Sequence, residues 1–159
     1  IQTCIWCFWF SWFNHSIGYW LIMNKTFQVI SPLTIQYSWN KEGRPKVFSL
    51  NLNIYRNFNR FSLGTAKKAY AELMSEPVSK LPQFNKIHIE YVLFTGSKRK
   101  VDLMNIGCIV DKFFCDVLTE QGKLPDDNSD YLPSISFKFG GIDKSFPRME
   151  INIKELTNE

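Results

Sequence analysis

Acidic and basic residues stand at both ends of one amphipathic segment, residues 98–128. The segment begins with three consecutive bases at positions 98–100, which are followed by Asp102, and it closes on the adjacent acids Asp126 and Asp127. Carboxylates are the oxygen ligands that Mg²⁺ prefers in proteins, and a bound Mg²⁺ activates water and neutralises charge that develops on a phosphodiester. These residue types therefore predict a divalent-metal site that acts on phosphate.

The residues between the two groups predict an amphipathic helix. Apolar side chains recur there at the three- and four-residue spacing of one buried helix face: Leu103, Ile106, Val110, Phe113, Phe114, Val117 and Leu118. Gly122 and Pro125 end the pattern, since Gly suits a helix C-terminus and Pro cannot continue a helix. At about 100° per residue, Asn105, Lys112 and Asp116 fall together on the flank of the apolar stripe, near the direction of the preceding acid.

A purely structural interpretation of the acids remains open. Asp102 is also a typical helix N-cap, and Asp126-Asp127-Asn128 is also a typical turn after Pro125. Other kinds of catalysis have no pattern in the chain, because a glycine-rich phosphate loop, a Ser-His-Asp arrangement and a Cys/His nucleophile pair are all missing from the sequence.

A second polar segment, residues 51–61, alternates amides and guanidinium groups with aromatic rings. The polar members are Asn51, Asn53, Arg56, Asn57, Asn59 and Arg60, and the aromatic members are Tyr55, Phe58 and Phe61. Such a mixture suits phosphate and base contacts in a nucleic-acid groove. A polar loop with buried aromatic anchors explains the same composition equally well.

Length and charge limit the possibilities further. The chain has 159 residues, which suits one domain, and its net charge of +4 favours an anionic partner. Four cysteines give no disulfide framework, so we expect a reduced, intracellular protein.

Residues 1–22 differ from the remainder, because they contain no Lys, Arg, Asp or Glu and are dense in Trp and Phe. Polar residues at 14–16 interrupt the apolar run, and the basic start of a signal peptide is missing. We therefore predict no membrane span, a non-native or disordered and dispensable extension over 1–22, and a folded domain over 23–159, beginning at Met23.

The remaining segments predict an α+β fold, with a small mixed sheet of about five strands and two main helices packed on one face. The predicted elements are a strand over 26–39 interrupted at Ser31-Pro32, a helix over 65–76 stopped by Pro77, a strand over 86–94, and an antiparallel pair over 134–139 and 149–154.

The order of these motifs resembles the RusA-type crossover-junction endodeoxyribonucleases, the phage-associated Holliday-junction resolvases. The motifs are the basic run, Asp102-Leu103-x-Asn105, Lys112-x-x-x-Asp116-x-Leu118, Gly122 and Asp126-Asp127. That family has a D-x-D-N motif, a lysine on the following helix, an Asp-x-Leu turn and a later D-D pair. The resemblance covers about residues 26–154. Two departures stand out: Met104 replaces the second aspartate, and the interval from Asn105 to Lys112 is longer by about one helical turn.

The resemblance implies a set of site residues. Asp102 and Asp127 are the metal ligands, Asp126 supplies the missing carboxylate, and Lys112 contacts the scissile phosphate. Asp111 is less suited, because it lies about 100° from Lys112 around the helix. The catalytic set is therefore Asp102, Lys112 and Asp127, with Mg²⁺ or Mn²⁺ as the cofactor. The expected DNA-binding residues are Arg56, Arg60, Lys98, Arg99, Lys100 and Asn105.

The resemblance also implies a homodimer on branched DNA, encoded by a phage or prophage and acting in a bacterial host. The implied activity is an Mg²⁺-dependent structure-specific endonuclease that cleaves four-way or branched junctions during recombination or replication. A junction-binding protein of the same fold, with cleavage lost through Met104, is the alternative. Outside nucleic acids, a small α+β interaction domain with structural acids also fits.

Overall fold

The computed structural model describes residues 26–156, so the predicted extension over 1–22 lies outside the described residues. Within that range the chain forms six strands and three helices. The strands are β1 (Thr26–Pro32), β2 (Thr34–Trp39), β3 (Pro45–Ser49), β4 (Ile87–Thr95), β5 (Ser134–Ile142) and β6 (Arg148–Glu155). The helices are α1 (Leu52–Asn57), α2 (Arg60–Ser79) and α3 (Leu103–Glu120).

Four strands form one mixed sheet in the order β1-β6-β4-β5, and β2 and β3 form a separate hairpin. β4 pairs with β5 in parallel, whereas β6 is antiparallel to both β1 and β4. A parallel pair needs a crossover connection, which α3 provides between β4 and β5. The predicted α+β class with a small mixed sheet is confirmed.

The core lies on one face of the sheet. Every second residue of β4, from Ile87 to Leu93, is buried, and β6 alternates in the same way through Met149, Ile151 and Ile153. The buried stripe of α3, with Phe113 and Phe114, joins these strands in one hydrophobic cluster. The predicted helix and its C-terminal signal are confirmed, since Gly122 adopts a φ of 65° just beyond α3.

Two local predictions are wrong in detail. Residues 51–61 are mostly helical, because Asn51 and Asn59 each cap a helix through their side chains and start α1 and α2. Pro77 does not stop α2, which continues to Ser79. Pro77 lies in the last turn of α2, where the buried Val78 anchors the helix end against the core and offsets the lost backbone hydrogen bond.

The predicted antiparallel pairing of β5 with β6 is also wrong. β4 lies between them, and Arg148 at the start of β6 is opposite Phe94 of β4. The connecting loop passes the end of β4, where the amide of Asp143 donates to the carbonyl of Thr95 over 2.8 Å. A five-residue loop easily spans the roughly 10 Å between strands that are two apart in a sheet.

No helix among residues 26–156 has the length and apolar character needed to span a lipid bilayer.

Two helical glycines predict opposite effects of the same substitution. A Cβ on Gly64 of α2 would meet no atom within 4 Å, whereas a Cβ on Gly107 of α3 would lie 2.5 Å from Cδ1 of Phe137. Gly64→Ala should therefore raise the free energy of unfolding by about 0.5–1 kcal/mol through helix propensity. Gly107→Ala should lower it by about 1–3 kcal/mol, because α3 must move away from β5. Urea unfolding of both variants checks this, and equal effects would contradict the packing of α3 on β5.

Candidate functional site

A row of polar side chains follows α3 at three- and four-residue steps and winds from its exposed start into the core. Its members are Asp102, Asn105, Cys108, Asp111 and Cys115. The first is exposed, the middle three are half-buried and the last is buried. The row thus connects the surface at the start of α3 with the region where α3 faces β4.

Asp102 is the N-cap of α3, as the structural interpretation of this acid predicted. Its Oδ1 accepts a hydrogen bond from the amide of Met104 over 3.0 Å, and its Oδ2 accepts one from Nδ2 of Asn105, also over 3.0 Å. Asn105, which the sequence assigned to DNA binding, therefore fixes the orientation of the Asp102 carboxylate. Met104 is 53% exposed.

Asp111 is held by the sheet. Its Oδ1 accepts a hydrogen bond of 2.8 Å from the hydroxyl of Tyr91 and a weaker one of 3.6 Å from Sγ of Cys115. Tyr91 is fully buried and stacks on Phe137, with ring centroids 5.2 Å apart. Burial raises the pKa of the Asp111 carboxyl, and the negative charge of Asp127 raises the same pKa further.

The chain turns back after α3. Residues from the two ends of the segment 98–128 can share one site only if the chain makes such a return. The amide of Lys123 donates to the carbonyl of Leu118 over 2.8 Å, and Leu124 is buried. Nζ of Lys123 also donates to the carbonyl of Leu81 over 2.6 Å, which ties this turn to the end of α2. The return is close enough for the charge of Asp127 to raise the pKa of Cys115 as well as that of Asp111, although burial is the larger cause for both.

Asp126 forms a turn with its neighbours. Its Oδ1 accepts from the amide of Asp127 over 2.8 Å and its Oδ2 accepts from Nδ2 of Asn128 over 2.7 Å. Both oxygens thus have local partners, as the turn interpretation predicted. The assignment of Asp126 as the replacement for the missing motif carboxylate stays a prediction.

Within residues 26–156, no three His, Cys, Asp or Glu side chains form a group arranged to hold a metal ion. Asp102 and Asp111 are nine residues apart on α3, about 13 Å along its axis, so one Mg²⁺ with ligands at about 2.1 Å cannot bind both. The structure instead brings Asp111 into the electrostatic field of Asp127. The sequence analysis considered Asp111 less suited as a metal ligand because of its angle to Lys112. The signal that could have identified Asp111 was the inward-facing position of Tyr91 on its strand, because a buried hydroxyl needs an acceptor.

The predicted phosphate contacts are on the surface. Arg56, Arg60 and residues 98–100 are exposed, as is Lys112. None of these six side chains is in an ion pair within the described part of the chain. Burial raises the pKa of the Cys108 thiol, while the Arg56 guanidinium lowers it and the Asp102 carboxylate raises it. Arg56 of α1 and Asp102 therefore both lie close to the first half of α3.

Asp116 of the Asp-x-Leu motif has a structural partner. Its Oδ2 is 2.7 Å from Nζ of Lys67, and this ion pair joins α2 to α3. The same Nζ lies 5.5 Å from the ring centroid of Phe113. Lys67 is thus held against the helix pair, while Lys68 beside it is exposed.

Compared with protein-family models, the chain matches none. No curated protein is similar to it in sequence.

The raised pKa of Asp111 predicts a pH-dependent stability. A carboxyl whose folded pKa is raised stabilises the fold fully below its unfolded pKa, about 3.9, and this contribution is lost as the pH rises through the folded pKa. Asn resembles the protonated acid and still accepts from Tyr91. The melting temperature of Asp111→Asn should therefore rise relative to the parent as the pH increases above about 4.

Asp130→Asn, which removes an exposed acid, is the matched control and should show no such trend. A difference between Asp111→Asn and the parent that stays constant with pH would contradict the burial of a titrating carboxyl at this position.

Proposed function

We propose that this protein is an Mg²⁺- or Mn²⁺-dependent structure-specific endonuclease that cleaves phosphodiester bonds in four-way or branched DNA. The single observation that carries the proposal is the return of the chain after α3, which brings Asp127 back toward Asp111. Asp111 itself is held to β4 by the hydroxyl of Tyr91. The order of basic run, helix-start acid, helix lysine and acid pair supports the RusA-type class of this activity.

The residues present fit a divalent cation. Mg²⁺ usually takes one or two protein carboxylates and completes its shell with water and substrate phosphate, so it does not require three protein ligands. Burial is the main cause of the raised pKa of Asp111, and the negative charge of Asp127 adds to it, so a cation between the two carboxylates relieves their repulsion. When bound, the ion activates water and neutralises charge on the phosphodiester.

The other polar residues act on the substrate. Tyr91 holds the Asp111 carboxylate in one orientation through its hydroxyl. Lys112 is exposed and lies about 100° from Asp111 around α3, so its long side chain has to reach across that angle to place its ammonium group on the scissile phosphate. Arg56, Arg60 and the basic run 98–100 hold neighbouring phosphates, and recognition depends on branched shape with little base reading.

Partners and location follow from the same class. A four-way junction has two symmetric cleavage points, which a twofold homodimer matches. We extend the proposal to a homodimer, encoded by a phage or prophage and acting in the cytoplasm of a bacterial host.

A second function is junction binding without cleavage. Met104, where the resembling family has its second aspartate, favours it, because a thioether is a poor Mg²⁺ ligand. The basic surface is unaffected by that replacement, so affinity for phosphate persists in either case.

Cleavage of a labelled four-way junction and of a linear duplex, with and without Mg²⁺, tests the first function. Asp111→Asn and Asp127→Asn should each lower the cleavage rate on the order of 100-fold or more, because the cation that stabilises the developing charge is lost. Junction binding measured in EDTA should remain, since other residues make the phosphate contacts. Asp130→Asn is the matched control and should cleave like the parent.

The outcomes separate the alternatives. If Asp127→Asn cleaves as fast as the parent, the endonuclease site is wrong. If Asp102→Asn is inactive while Asp111→Asn is active, Asp102 and not Asp111 shares the cation with Asp127. A parent protein that binds junctions tightly and never cleaves them has the second function.

The basic run gives a separate prediction. Replacing Lys98, Arg99 and Lys100 together by Ala should weaken binding similarly for all sequences and reduce the slope of log affinity against log salt by about one unit per lost contact. Titrations by fluorescence anisotropy at several salt concentrations measure this slope. An unchanged slope would remove the 98–100 loop from the DNA footprint.

A further inference from the structure

The first turns of α2 present an aromatic ring that the proposed catalysis does not use. Phe61 is 86% exposed, whereas the next most exposed large apolar side chain in the described residues, Trp39, is 61% exposed. A single surface apolar residue is ordinary in a folded protein. The surroundings of this ring distinguish it.

Phe61 belongs to a defined helix face. Gly64, Thr65 and Lys68 follow it at the three-, four- and seven-residue steps that place side chains on one side of a helix. Together with Arg60, these residues line an open depression of about 510 Å³. The depression thus combines an aromatic wall with two cationic side chains and contains no acid.

The backbone beneath the ring is fixed. Oδ1 of Asn59 caps α2 by accepting from the amides of Phe61, over 2.9 Å, and Ser62, over 3.3 Å. Phe58, just before the cap, is anchored with its ring centroid 4.8 Å from that of Phe48. Phe61 therefore projects from an ordered corner of the fold, which lowers the entropy lost on binding.

Gly64 leaves the surface beside the ring open. No atom lies within 4 Å of the position where a Cβ would stand, so no packing requirement explains glycine here. Glycine inside a helix is unfavourable compared with alanine. Its presence one turn from Phe61 keeps a flat area on which a planar group can lie.

The segment of the chain that carries this face has charges of one sign. Residues 43–71 contain no Asp or Glu. They contain six bases, Arg44, Lys46, Arg56, Arg60, Lys67 and Lys68, of which Lys67 is paired with Asp116 of α3. A polyanion complements such a surface, whereas a second copy of the same face is repelled by it.

We propose that Phe61 stacks on an unpaired nucleobase of the DNA substrate, while Arg60 and Lys68 contact the flanking phosphates. This inference rests on the proposed function and deepens it, because it assigns a source of preference for branched over duplex DNA. Every base has a π-face, so stacking on an aromatic ring tolerates any sequence. Inside a continuous duplex both faces of each base are covered by neighbours, whereas a branch point, a single strand or a duplex end offers a free face.

Binding of the full chain in EDTA, where no cleavage occurs, tests this assignment. The probes are a single strand and a four-way junction that carry 2-aminopurine at unpaired or branch-point positions, and a duplex of the same length. Phe61→Ala should weaken binding to the strand and the junction about tenfold, the effect of one stacked base, and change duplex binding less than about twofold. Phe61→Trp should retain affinity and quench 2-aminopurine at least as strongly as the parent.

Phe139→Ala is the matched control, because Phe139 is an exposed phenylalanine, 56% exposed, on strand β5. Equal weakening of duplex and junction by Phe61→Ala would overturn the inference, and so would no weakening at all. A change of oligomeric state in Phe61→Ala, measured by light scattering, would assign the ring to a copy of this chain and overturn it too. If the parent binds none of the three DNA probes, the proposed function itself fails, which is a separate result.

Discussion

A tyrosine hydroxyl buried in the core of this protein requires an acceptor, and that requirement fixes the position of Asp111. Tyr91 is fully buried on strand β4, and its hydroxyl donates a hydrogen bond of 2.8 Å to Asp111 of α3. The carboxylate that accepts its hydrogen bond cannot turn away to solvent without leaving the hydroxyl unpaired, at a cost of about 1–3 kcal/mol. This hydrogen bond, together with the buried stripe of α3, holds the Asp111 side of the helix against β4.

The connection from β4 through α3 to β5 determines where the other residues of the candidate site lie. Because β4 and β5 are parallel, the chain must return over the sheet through α3 and then pass from its C-terminus to the start of β5. Asp127 lies on that second passage, and the turn at residues 122–124 directs it back toward α3. The first passage carries the bases at 98–100 to the start of the helix. One crossover unit thus places acids and bases around a single helix.

The elements governed by local rules were predictable from the sequence. α3 was predicted because its apolar period, its acid cap and its terminal glycine all indicate the same helix. Strand pairing and other contacts between distant segments could not be predicted from such local signals. The alternation in 134–139 and 149–154 identifies two strands but contains nothing about β4 lying between them. Likewise, Asn51 and Asn59 are typical of loops as well as of helix N-caps, so the sequence alone does not distinguish the two.

In the candidate site, too, the local roles could be predicted from the sequence, whereas contacts between distant residues could not. The acids at 102 and 126–127 were visible as a pattern, and the structure confirms the local roles of Asp102 as a cap and of Asp126 as part of a turn. Asp111 carried no motif, because its importance depends on a tyrosine 20 positions earlier and an acid 16 positions later. The packing of α3 on β4 brings Asp111 to Tyr91, and the return of the chain after α3 brings Asp127 toward Asp111.

Paramagnetic broadening by Mn²⁺ measures whether Asp111 and Asp127 hold a cation together. Titration of the isotopically labelled protein should broaden the backbone amide signals of Asp111, Lys112 and Asp127 first, because broadening falls steeply with distance from the ion. Asp127→Asn should remove the effect at Asp111. Broadening that centres on Asp102 and spares Asp111, or that is uniform over the surface, would contradict the account.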